Sequence, residues 1–117
     1  MFDTKRLPAI AHELGFTYPP DVLRAVEALA DLSGTDEFRA HFPHARLVES
    51  ADDIAAARVL GLPIQLKPFW LEEQAAHIDY YCFDNHTRGV VVFAVHTVVA
   101  DWPSIDAFLA WLRQSLA

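Results

Sequence analysis

Residues 90–93, Val-Val-Val-Phe, form a continuous run of apolar side chains. Successive side chains of a β-strand point to opposite faces of the sheet, so a strand without a polar position is buried on both faces. β-Branched and aromatic residues also favour a strand over a helix. The run therefore predicts an inner strand of a sheet over which a helix packs.

Two further segments, residues 62–66 and 78–83, are rich in β-branched and aromatic residues and are separated by polar turn residues, which predicts strands. The turn residues before Gly89 favour an antiparallel hairpin between residues 78–83 and 90–95. Residues 45–49 are typical of a short strand or an extended segment. These segments together predict a central sheet rich in antiparallel pairs.

The helices are predicted from apolar spacing and from their end residues. The final helix has Ile105, Phe108, Leu109 and Leu112 at helical spacing, with Ser104 as its N-cap and Asp101 as an alternative cap. The same reasoning predicts helices or helical turns at residues 5–14, 20–33, 35–41 and 51–59. The chain is thus expected to form one α+β domain over residues 1–117, with N-terminal helices, a central sheet and a C-terminal helix packed on that sheet.

Charge and cysteine content limit the function. The chain has 117 residues, 53% of them hydrophobic, with 9 Lys and Arg against 16 Asp and Glu, a net charge of −7. This balance argues against binding nucleic acid and favours a basic protein partner. The single cysteine, Cys82, suits a reducing compartment, and no apolar run approaches the length of a membrane span. We therefore expect a cytoplasmic protein that binds neither nucleic acid nor membrane.

Several segments carry a resemblance to a known family. They are the prolines Pro19 and Pro20 ahead of a helix, residues 46–50 leading into 53–55, the tyrosine-rich strand at residues 79–84, and the ending through Ser104 and residues 108–109. With this order of elements, the chain resembles the SUKH superfamily, which includes the Smi1/Knr4-type proteins and many small bacterial immunity proteins. The resemblance implies a non-catalytic α+β scaffold that binds proteins. In bacteria it typically implies neutralisation of a toxin, often a nuclease.

An acidic segment between Lys67 and Arg88 is the candidate docking surface. It contains no Lys or Arg and combines carboxylates with aromatic residues, a mixture that steers a basic partner and supplies buried contact area. Trp70, between Pro68 and Glu72, is interpreted as an exposed anchor. A solvated sheet face is the alternative. The candidate partner-binding residues are Trp70, Glu72, Glu73, Asp79, Tyr81 and Asp84.

Other chemistry is less well supported by the pattern. Cys82 and His86, with Asp84 between them, have the residue types of a nucleophile and its base, but a lone cysteine is more typical of a core position. The six histidines lack the paired spacing of a zinc site. We expect no catalytic residue, no metal and no cofactor. A housekeeping adaptor of the same fold and a small Cys/His enzyme remain as alternatives to the immunity protein.

Overall fold

The computed structural model describes residues 4–116, which form an α+β fold, as the sequence predicts. A single antiparallel sheet has the strand order β1-β2-β3-β4-β5, so each strand pairs with its neighbours in sequence. The helices are α1 (Arg6–Leu14), α2 (Pro20–Leu32), α3 (Asp36–His41), α4 (Ala51–Val59) and α5 (Ile105–Leu116), and the strands are β1 (Ala45–Leu47), β2 (Leu66–Glu73), β3 (Ile78–Asp84), β4 (Val90–Ala94) and β5 (Thr97–Trp102).

The helix ends follow from local chemistry. Gly15 ends α1 with a left-handed φ of 83°, and its N–H donates to carbonyls of the last turn. Thr35 caps α3 and Ser104 caps α5, each accepting a hydrogen bond from a backbone N–H three residues on. Ser50 makes no such bond before α4. The Asp53 carboxylate instead accepts a hydrogen bond from the Glu49 N–H at 2.9 Å.

One strand prediction was wrong, and one strand was not predicted. The strand expected at residues 62–66 is β2, which begins only at Leu66 and runs through Pro68 to the acidic pair at its end. A register shift between Pro68 and Trp70 accommodates the missing proline N–H. Residues 97–102, for which no strand was predicted, form β5, and Asp101 lies inside it rather than capping α5.

The core lies between the sheet and the helices packed on it. All five residues of β4 are buried, as the continuous apolar run predicts. On one face, Trp70 packs against Phe42 at 5.0 Å between ring centroids, and Phe108 of α5 packs against Trp102 at the same distance. The Phe108 contact attaches the C-terminal helix to the sheet. Within residues 4–116 no helix is both long enough and apolar enough to cross a membrane.

Candidate functional site

The aromatic residues of the predicted docking surface are buried. Trp70 has no exposed surface and Tyr81 is 7% exposed. Their rings stand 4.2 Å apart between centroids, on paired positions of β2 and β3. The interpretation of Trp70 as an exposed anchor was therefore wrong, and Tyr81 offers no contact area either. Both residues lie on inner strands, where the helical layer covers them.

Glu72 is also removed from the surface. The residue is 5% exposed and lies opposite Asp79 on β3 and Ala45 on β1. Its Oε2 atom has no hydrogen-bond partner in the part of the chain described. Burial is the largest influence on this carboxyl and raises its pKa above the ordinary value. Glu72 is thus an interior carboxylate rather than a docking group.

The remaining acids of the segment have internal partners. Glu73 Oε1 lies 3.1 Å from Arg46 Nε, and Asp79 Oδ1 lies 3.0 Å from His77 Nε2. Asp84, at the opposite end of β3, accepts hydrogen bonds from two N–H groups of the turn that follows. Glu72, Glu73 and Asp79 are thus brought together at one end of the β2–β3 pair, whereas Asp84 organises a turn at the other end.

Cys82 lies in the core, as the cysteine's residue type suggests. It has no exposed surface, and its Sγ lies 3.5 Å from the Tyr80 carbonyl oxygen. Burial raises the pKa of the thiol, so the thiolate that a nucleophile requires is scarce near neutral pH. His86 lies outside the strand in an exposed turn. Across residues 4–116, no three or more His, Cys, Asp or Glu side chains converge as a metal site would require.

The surface that the sequence did not single out is the outer edge of β5. Val98 is 48% and Val99 58% exposed, and Val95, in the turn before the strand, is 66% exposed. β5 is the last strand of the sheet, and among the described residues no strand pairs with its outer side. A strand edge of this kind presents free N–H and C=O groups that accept another strand. The β-branched run Thr97-Val98-Val99 was the signal that predicts a strand here.

The turn between β4 and β5 is unusual. Val95 and His96 both have positive φ, at 49° and 71°. Two-residue hairpin turns need this left-handed conformation, but Asn and Gly normally supply it, and a β-branched residue there is strained. The His96 ring bonds through Nδ1 to the Leu60 carbonyl oxygen after α4. This contact holds the turn beside a small, mainly apolar cavity of about 180 Å³ lined by Leu60, Tyr80, Phe93 and Val95, among others.

The chain is therefore an α+β fold in which three exposed valines, Val95, Val98 and Val99, lie at one sheet edge beside a strained turn. The sequence matches no family model, and neither a curated protein nor a solved structure matches the chain significantly. The resemblance to the SUKH superfamily stays a prediction.

Proposed function

We propose that the chain is a non-catalytic protein-binding domain of the bacterial immunity type, and that it neutralises a cognate toxin by binding it directly at the outer edge of β5. The exposed, unpaired β5 edge is the observation on which this proposal depends. An extended segment of the partner would add to the sheet there as a further strand. Backbone hydrogen bonds supply affinity in this mode of binding, and side-chain contacts supply specificity.

The side chains at the edge favour an apolar segment. Val98 lies opposite Phe93 on β4, and Val95 and Val99 extend the exposed apolar surface around it. Natural sheets commonly protect an edge strand with Lys, Pro or a β-bulge; β5 contains neither Lys nor Pro, and its register with β4 shifts between Val98 and Ala100. Contact with a partner strand would remove these valines from water, which is the largest favourable term in most protein associations.

The charge of the chain favours a basic partner. Sixteen acidic residues stand against nine basic ones, and Asp101 is the one charged residue of β5. Long-range attraction accelerates the encounter with a basic protein, and a Lys or Arg next to the apolar segment fits beside Asp101. A nuclease toxin has the required chemistry because it must bind a polyanion. The resemblance to the SUKH superfamily supports this class of partner, and we propose on the same ground that the protein acts in the bacterial cytoplasm.

Co-expression with the toxin domains encoded beside the gene tests the proposal. We expect one of these domains to be neutralised and to bind the purified chain. Val99→Lys should weaken that binding by at least about tenfold, because it introduces a charge onto the edge. Ile64→Lys is the matched control, since Ile64 is also exposed, at 73%, but lies before β2.

Three outcomes would contradict the proposal. If the chain neutralises none of the neighbouring toxins, the immunity function is excluded. Recovery of a host protein instead would favour the housekeeping adaptor. Equal binding by the wild type and Val99→Lys would show that the partner uses another surface. Circular dichroism of each variant establishes that a loss of binding is not a loss of folding.

A further inference from the structure

A second surface feature lies away from the β5 edge. A cavity of about 510 Å³ opens between α2, the turn joining β3 to β4, and α5. Three arginines, one from each of these parts of the chain, line it: Arg24, Arg88 and Arg113. Their convergence is unexpected in a protein whose acidic residues outnumber its basic ones.

These arginines differ from the other basic residues. Arg46 binds two carboxylates, Arg39 pairs with Asp36, and Arg58 and Lys67 donate to backbone carbonyls. Within residues 4–116, Arg24, Arg88 and Arg113 are the arginines whose side chains form neither a hydrogen bond nor an ion pair. All three line the same cavity. The cavity lining thus carries more basic than acidic side chains, a balance that favours a bound anion.

Arg88 is held in place by its surroundings. It has a left-handed φ of 62°, which is costly for a side chain of this kind, and its guanidinium carbon lies 5.5 Å from the centre of the Phe83 ring. The next residue, Gly89, packs so closely on the chain before α5 that an added Cβ would stand 2.3 Å from the Trp102 carbonyl oxygen. The hairpin is thus fixed against the start of α5, where Arg88 reaches the cavity.

Two aspartates, Asp21 and Asp106, also line the cavity but do not balance the charge of the three arginines. Asp21 Oδ1 accepts a hydrogen bond from the Val22 N–H at 3.1 Å, and neither Asp21 nor Asp106 forms an ion pair with the three arginines. Three arginines and two aspartates therefore line the cavity, and Asp21 already accepts one backbone hydrogen bond. A guanidinium presents a planar fork of donors that matches the oxygens of a phosphate group.

We propose that this cavity binds a phosphate monoester through Arg24, Arg88 and Arg113. A dianionic phosphoryl group accepts several donors at once and balances more of the arginine charge than a single carboxylate does. The Ser104 hydroxyl and the start of α5 lie at the same cavity and favour a negative charge there. The ligand is either a free phosphorylated metabolite or a phosphoserine of a protein. The site is independent of the β5 edge.

Titration of the ¹⁵N-labelled protein with inorganic phosphate, in a phosphate-free buffer of low ionic strength, tests the site. We expect saturable shifts confined to the amides around Arg88, Gly89 and Ser104. Arg113→Gln should weaken binding by about tenfold or more. Arg39→Gln makes the same change in net charge outside the cavity and should leave the affinity unchanged. Absence of saturable shifts at millimolar phosphate, or equal weakening by both variants, would overturn the proposal.

Arg88→Gly separates binding from folding. Glycine adopts positive φ without strain, so this variant should melt at a higher temperature than the wild type and yet bind phosphate more weakly. A parallel fall in melting temperature and affinity, or unchanged affinity, would contradict the role given to Arg88.

Glycerol phosphate and a phosphoserine peptide distinguish a free metabolite from a protein as the source of the phosphate group, with the unphosphorylated peptide as the control. Tighter binding of the peptide indicates a protein ligand, and equal binding indicates a metabolite.

Discussion

Two regions of the molecule, residues 69–84 of the acidic segment and the hairpin edge at residues 95–99, have the opposite solvent exposure to the one that their compositions suggest. The first contains Phe69, Trp70, Tyr80 and Tyr81, the large residues typical of binding surfaces, and none is more than 7% exposed. The second contains small aliphatic residues typical of a core, and its valines are 48–66% exposed. The difference is one of position, since β2 and β3 have a strand on each side and β5 has a neighbour on one side only.

Strand order decides which side chains of this sheet are exposed. Aromatic residues on an inner strand contribute to stability, because the helices remove them from water. Small aliphatic residues on an edge strand are exposed, together with the unpaired backbone N–H and C=O groups beside them.

Truncation of Trp70 tests this contrast with the largest expected effect. Trp70→Ala removes a fully buried indole that packs against Tyr81 and Phe42, so the free energy of unfolding should fall by about 3–5 kcal/mol. Chemical denaturation followed by fluorescence or circular dichroism measures the loss. Val99→Ala is the matched truncation at the edge and should change stability by less than about 0.5 kcal/mol.

A similar loss in both variants would break the comparison. It would mean that Val99 packs as a core residue, and the β5 edge would then have no claim to be a docking surface. A small loss in Trp70→Ala would mean that the indole contributes little to the core despite its burial.

The two regions also differ in how far the sequence predicts them. The hairpin of β3 and β4 and helix α5 follow from apolar spacing, because burial alone determines their pattern. The position of β2 was predicted too early in the chain because Pro68 resembles a strand breaker. The hydrogen-bond ladder between β2 and β3 continues past this proline only through the register shift beside it. β5 was missed because its turn contains Val95 and His96 where hairpin turns normally contain Asn and Gly. The exposure of Trp70 was misjudged since composition does not give strand order.

Removal of Arg46 tests whether the acids of the segment are internal partners. Its guanidinium lies 2.9 Å from both Asp53 oxygens and 3.1 Å from Glu73, linking β1 to α4 and β2. Arg46→Met should lower the free energy of unfolding by about 1–3 kcal/mol at pH 7, because two carboxylates lose their counter-charge. Denaturation at a series of pH values measures the change.

The pH dependence of this loss has a defined sign. The Arg46 hydrogen bond is the largest influence on Asp53 and lowers the pKa of that carboxyl below its ordinary 3.8. A lowered pKa stabilises the fold above the ordinary value, and this stabilisation disappears as the pH falls through the folded-state pKa. The difference between wild type and Arg46→Met should therefore shrink below pH 3.8. A difference that is constant with pH would show that Arg46 acts by packing.

Relief of strain at the edge is a smaller effect of opposite sign. Val95→Asn places a residue that tolerates positive φ at 49° in the β4–β5 turn, and the variant should be more stable by about 1 kcal/mol. The change in melting temperature measures the gain. Val98→Asn makes the same substitution within β5 and should give no gain, because Asn is a poor strand residue. Destabilisation by Val95→Asn would show that Val95 contributes contacts despite its exposure.

Substitution of the buried Glu72 has the smallest expected effect on stability, and it tests whether the residues of the acidic segment differ among themselves. Glu72 has a raised pKa, so the folded state holds its proton more tightly than the unfolded state does. The stability that this contributes is present at low pH and is lost as the pH rises through the folded-state pKa. At pH 7 the ionised group is therefore unfavourable, and Glu72→Gln should stabilise the fold by up to about 1 kcal/mol.

This gain should shrink as the pH falls towards 4.5, the ordinary pKa of this carboxyl, which is the behaviour expected of a buried carboxyl. Glu73→Gln is the matched control one residue along β2. Because Glu73 is exposed and pairs with Arg46, its substitution should give no gain at pH 7. Equal effects at the two positions would mean that Glu72 is solvated like its neighbour, and the acidic end of β2 would then return as a candidate docking surface alongside the β5 edge.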